Sequence, residues 1–92
     1  MTLQILENNG VFYLEGDLIA NTTRSFIIYF EYKIKTMEAV TVNIEKLNLI
    51  DKNGVAALTT LLANALREEN KFVVTGIGCK DIYEDFNYQN VA

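Results

Sequence analysis

The sequence predicts an α/β domain, a mixed β-sheet with helices packed on it in the order β-β-α-β-α-β-α. Three observations predict it. Asn8-Asn9-Gly10 separates two apolar runs, a strong hairpin signal. A short apolar run follows at residues 40–46. A stretch with helical periodicity occupies residues 54–68, between that run and another at 72–75.

The first strand is expected at residues 2–7, where Leu3 and Ile5 alternate with polar neighbours, and the second at 11–15. Gly16-Asp17 is expected to break the second strand. Residues 23–36 are open between two periods. Ile27, Phe30, Ile34 and Met37 recur at helical spacing, whereas Ile28, Phe30, Tyr32 and Ile34 alternate as in a strand. Asn21-Thr22-Thr23 offers N-caps and favours the helix.

Residues 40–46 read as a buried strand, within which Asn43 needs a hydrogen-bond partner. In the 54–68 helix, Val55, Leu58, Leu62, Ala65 and Leu66 make one stripe, widened by Leu61. Phe72 to Thr75 is a short strand closed by Gly76-Ile77-Gly78. Lys80 to Phe86 suits one or two helical turns, with Ile82 and Phe86 facing inward.

With 92 residues, of which 50% are hydrophobic and 22% charged, the chain suits one folded domain over 1–92. A net charge of −4 argues against nucleic acid, which demands clustered Lys and Arg. Cys79 is the sole cysteine, so it has no internal disulfide partner and reads as a small hydrophobe. The N-terminus lacks the basic and apolar regions of a signal peptide. The longest apolar run, Phe26 to Phe30, has five residues and is far too short to span a membrane. A soluble cytoplasmic domain, with no direct membrane insertion, is the expectation.

With no histidine and one cysteine, the usual metal and nucleophile sets cannot be assembled, so no catalytic residue, metal or cofactor is expected. The candidate site is instead the turn Asp51, Lys52, Asn53 and Gly54, between a strand and the clearest helix. A helix start carries unpaired N–H donors and the positive end of the dipole, which favour anions and partner carboxylates. Asp51 also suits capping its own helix, Asn53 a loop or cap role, and Gly54 a tight turn or close backbone approach. Lys52 is the member least explained by structure alone. Thr22, Thr23 and Ser25 read as caps, and Thr59 and Thr60 as solvated or back-bonded hydroxyls. Phe26, Tyr29 and Tyr32 cannot all share a face with Ile27, Phe30 and Ile34, so some of these rings must lie outside the core.

Three segments, taken in order, resemble a known family. Gly16-Asp17-Leu18-Ile19-Ala20, then Leu49-Ile50-Asp51-Lys52-Asn53-Gly54, then Val73-Val74-Thr75-Gly76 look like a STAS domain, the fold of bacterial anti-sigma factor antagonists. The match covers about residues 3–86. The resemblance implies a helix at 23–36 and a single STAS-like domain whose C-terminus is shorter than usual for the family. A sheet edge left open in this way favours a homodimer or docking.

In the family, the residue before the Gly of the second motif is typically Ser or Thr, phosphorylated by a kinase-like anti-sigma factor. The matching residue here is Asn53, preceded by Lys52, so the resemblance implies docking without that switch. The implied partner is a kinase-like anti-sigma factor or matching phosphatase. Small STAS proteins also serve as accessory subunits of ABC-type lipid transporters, bound to the ATPase. A weaker alternative is nucleotide or phosphate binding at the start of the 54–68 helix, with Lys52 as counter-charge.

Overall fold

The computed structural model describes residues 2–76. Seven elements follow one another: β1 Leu3–Asn8, β2 Val11–Leu18, α1 Thr23–Thr36, β3 Ala39–Asn43, β4 Leu47–Ile50, α2 Lys52–Arg67 and β5 Lys71–Thr75. The helix expected at Lys80 to Phe86, the Cys79 environment and the C-terminus expected to be short for the family lie outside the described residues.

β1 and β2 form the expected hairpin, with Asn8 opposite Val11 and the turn residues Asn9 and Gly10 at φ 54° and 81°. Positive φ at both central residues suits the right-handed twist of the flanking strands. All other pairings are parallel, which gives a mixed sheet ordered β1-β2-β3-β5, with β4 also alongside β2.

The chain corrects two sequence expectations here. Gly16-Asp17 does not end β2, which runs on to Leu18. Gly16 sits at φ +99°, and a Cβ there would lie 2.1 Å from the Thr2 carbonyl oxygen. That same oxygen accepts the N–H of Asp17 at 3.0 Å, so the glycine lets the hairpin ladder continue where another residue would clash. The second correction is an added strand. β3 pairs with β2 only over Val11–Tyr13, which leaves Gly16, Asp17 and Leu18 to pair with Leu47, Leu49 and Ile50 of β4. The run read as one strand over 40–46 therefore ends at Asn43, whose Oδ1 accepts the N–H of Glu45 at 2.8 Å and supplies the partner it needed.

The core lies between the helices and one face of the sheet. Phe12, Leu14 and Leu18 of β2, Val40 and Val42 of β3, and Phe72 and Val74 of β5 meet Phe26, Phe30 and Ile34 of α1 and Leu58 and Leu61 of α2. Phe30 is its aromatic hub, with ring centroids 5.3 Å from Phe12, 5.1 Å from Phe26 and 6.2 Å from Phe72. The contacts with Phe12 and Phe72 are edge-on, a geometry that adds to the area term. Residues 23–36 are thus helical, as the caps and the family likeness implied. Of the three aromatic residues in question, Phe26 is buried, Tyr29 half-buried and Tyr32 64% exposed.

The inner face of α2 is rotated from the expected stripe. Gly54, Ala57, Leu58, Leu61, Asn64 and Ala65 are buried, Val55 and Leu62 flank them, and Leu66 is 79% exposed. The helix also begins two residues earlier than residue 54, at Lys52. Beyond α2, Asn70 donates through Nδ2 to the Ile34 carbonyl, tying the entry of β5 to the last turn of α1.

Candidate functional site

β2 and β4 run parallel and end side by side, at Leu18 and Ile50. Their carboxyl ends feed the loop into α1 and the start of α2, the position where open α/β sheets place their ligand crevices. The four residues singled out from the sequence lie here, together with a loop that sequence reasoning did not count as part of the site.

Asp51 organises the junction. Its backbone is extended, at φ −107° and ψ −176°, and its Oδ1 accepts the N–H of Gly54 at 2.9 Å, an N-cap of α2. Oδ2 accepts the Ala20 N–H at 3.4 Å and the Asn53 side-chain amide at 3.4 Å. The Asp51 N–H in turn donates to the Leu18 carbonyl at 3.3 Å. One carboxylate therefore fastens both loops and its own helix. The Gly54 N–H is the main cause that holds the Asp51 pKa below its ordinary value, against partial desolvation, with help from Asn53 and Ala20.

Gly54 is needed for close approach. A Cβ there would stand 2.2 Å from the Leu18 carbonyl oxygen and 2.8 Å from the Ile50 side chain. The start of α2 is thus pressed directly against the end of β2, with Gly54 buried beneath Lys52 and Asn53, which are both exposed.

The hydroxyls nearby are occupied locally. Thr22 Oγ1 accepts the Ile19 N–H at 3.0 Å and donates to the buried Asp17 carbonyl at 2.9 Å. It therefore closes the 17–22 loop and makes no side-chain cap to α1, contrary to the expected cap. Ser25 donates to the Thr22 carbonyl, and Thr23 to that of Ala20. Thr59 and Thr60 back-bond to Val55 and Ala56, as expected of hydroxyls within a helix.

Lys52, Asn53, Ala20 and Asn21 are all exposed at this junction. Ala20, whose N–H reaches Asp51, and its neighbour Asn21 were not counted at this junction from the sequence. The signal that pointed to them was the Gly16–Ala20 segment, which feeds the end of a parallel strand. Among the described residues, no cluster of His, Cys, Asp and Glu is arranged to hold a metal ion. No helix among them is long and apolar enough to cross a membrane.

This architecture is STAS-like in fold. No protein-family model matches the chain, and no curated protein matches its sequence. Solved structures do match. The anti-sigma factor antagonist SpoIIAA in its unphosphorylated form aligns with a TM-score of 0.68 at 11% identity, covering 90% of this chain and 82% of that one. The phosphorylated form of SpoIIAA, a Bacillus cell fate determinant, aligns with a TM-score of 0.67 at 11% identity, covering 90% and 81%. Mglu aligns at 0.65 and 10% identity, covering 82% of this chain but 19% of its own. At these identities the likeness is one of fold, and the fold is that of STAS domains.

Proposed function

We propose that this chain is a non-catalytic module that docks a protein partner through Lys52, Asn53 and the adjoining 19–21 loop. One observation carries this reading. The Asp51 carboxylate is committed to Gly54, Asn53 and Ala20, which joins two loops into one fixed surface. That surface presents an ammonium and an amide, with no hydroxyl or thiol nucleophile, and so suits recognition rather than chemistry.

The likeness to an anti-sigma factor antagonist, known in phosphorylated and unphosphorylated forms, supports a partner of the kinase-like anti-sigma type, or a matching phosphatase. A phosphate at this point would add nearly two negative charges to the contact surface and weaken docking. Asn53 accepts no phosphate and is neutral like an unmodified Ser. The module therefore stays in the binding-competent state, acting in transcriptional regulation in a bacterial cytoplasm.

Asn53 also favours a second reading, an accessory subunit on the ATPase of an ABC-type lipid transporter, which needs no phospho-switch. Nucleotide binding at the start of α2 is disfavoured. The Asp51 carboxylate already occupies the Gly54 N–H and would repel a phosphate.

The test is to capture the tagged chain from its native cells, identify its partner by mass spectrometry, and titrate that partner with variants. Asn53→Asp should weaken binding by about tenfold or more, while Asn53→Ser should retain it. Equal binding by all three proteins would rule out docking at this turn. An ABC ATPase as the captured partner would select the transport reading.

A further inference from the structure

We propose that the chain forms a two-fold dimer through the outer edge of β1, independently of the docking surface proposed above. Among the described residues, β1 is an outer strand of the sheet, paired on one side only, with β2. The direction of its remaining backbone groups follows from the ladder. Asn8 and Val11 flank a two-residue turn, so they exchange both hydrogen bonds of a narrow pair. At the other end, the Thr2 carbonyl accepts the Asp17 N–H at 3.0 Å. Even-numbered residues of β1 thus face β2, and Leu3, Ile5 and Glu7 turn their N–H and C=O outward with no partner among the described residues.

This edge lacks the usual protection. It has no proline and no lysine, its register with β2 is unbroken by a bulge, and Leu6 on it is 50% exposed. A second copy is the occupant it fits. Antiparallel pairing of the outward groups puts Ile5 opposite Ile5 on the two-fold axis, with Leu3 opposite Glu7 on either side. The helices of both copies then lie on the same side of one continuous sheet. The strand carries a single charge, Glu7. In this register the two Glu7 residues are four positions apart, about 13 Å, beyond the roughly 8–10 Å over which exposed charges act in physiological salt. β4 and the Asp51 turn lie across β2 from β1, so this pairing leaves the docking surface open.

Sedimentation equilibrium from low micromolar to millimolar concentration, with amide exchange read by NMR, tests the proposal. The mass should rise towards twice that of the chain. The amides of Leu3, Ile5 and Glu7 should gain protection with concentration, while those of Gln4, Leu6 and Asn8 stay as they are. Glu7→Pro deletes an outward donor that β2 does not use and should weaken association at least about tenfold, while Glu7→Ala retains it. A monomer at every concentration overturns the proposal, as does a dimer whose odd-numbered amides gain no protection. Should Glu7→Pro fail to fold, the alternation of protection along β1 in the unmodified chain decides by itself.

Discussion

The Ala20 N–H donates to the Asp51 carboxylate at 3.4 Å across 31 residues of sequence, joining the loop after β2 to the start of α2. The same side chain caps α2 through Gly54. A residue that reads as an ordinary helix cap therefore also sets the relative position of two loops.

Replacing Asp51 tests that double role. Asp51→Ala should lower the melting temperature and expose the Ala20 and Gly54 amides to faster exchange, whereas Asp51→Ser should restore the Gly54 cap without the Ala20 contact. Slower exchange at Ala20 in Asp51→Ala than in the parent would contradict the arrangement.

The Asp51 contribution should depend on pH with a definite sign. Hydrogen bonds hold its folded pKa below the unfolded value, so its stabilisation is complete above the unfolded value and is lost as pH falls through the folded one. The stability gap between the parent and Asp51→Asn, measured by urea unfolding, should be widest near neutrality and narrow below about pH 4. A gap that widens on acidification would show that the carboxylate is not held in this way.

Gly54→Ala should destabilise by about 1–3 kcal/mol, because the added Cβ must displace the Leu18 carbonyl or the start of α2. An alanine in an unobstructed helix would stabilise instead, so the sign of the change in urea midpoint decides.

The two faces of α1 should respond very differently. Phe30→Ala removes the aromatic hub and should cost about 3–5 kcal/mol, while Tyr32→Ala should stay within about 0.5 kcal/mol. The same contrast holds on α2, where Leu61→Ala should cost about 2–5 kcal/mol and Leu66→Ala little. Similar losses at Leu61 and Leu66 would return the helix to the stripe that periodicity suggested.

Much of the fold was legible because it rests on local signals. Asn9-Gly10 specifies its hairpin, Asp51 its cap, and residues 54–67 their helix through short-range preferences. Residues 23–36 were ambiguous by period because aromatic and branched side chains suit either element. The family likeness and the caps favoured a helix, and Phe26, Phe30 and Ile34 form its buried face.

The sequence by itself determined the hairpin, the second helix with Asp51 as its cap, and the α/β class. Tertiary structure decided that β2 continues past Gly16, that Leu47–Ile50 forms a strand against it, and that Leu66 faces outward. It also brought Ala20 to Asp51. Turn chemistry and capping act within a few residues, whereas strand partners and the buried face of a helix depend on surfaces that meet only when distant segments pack.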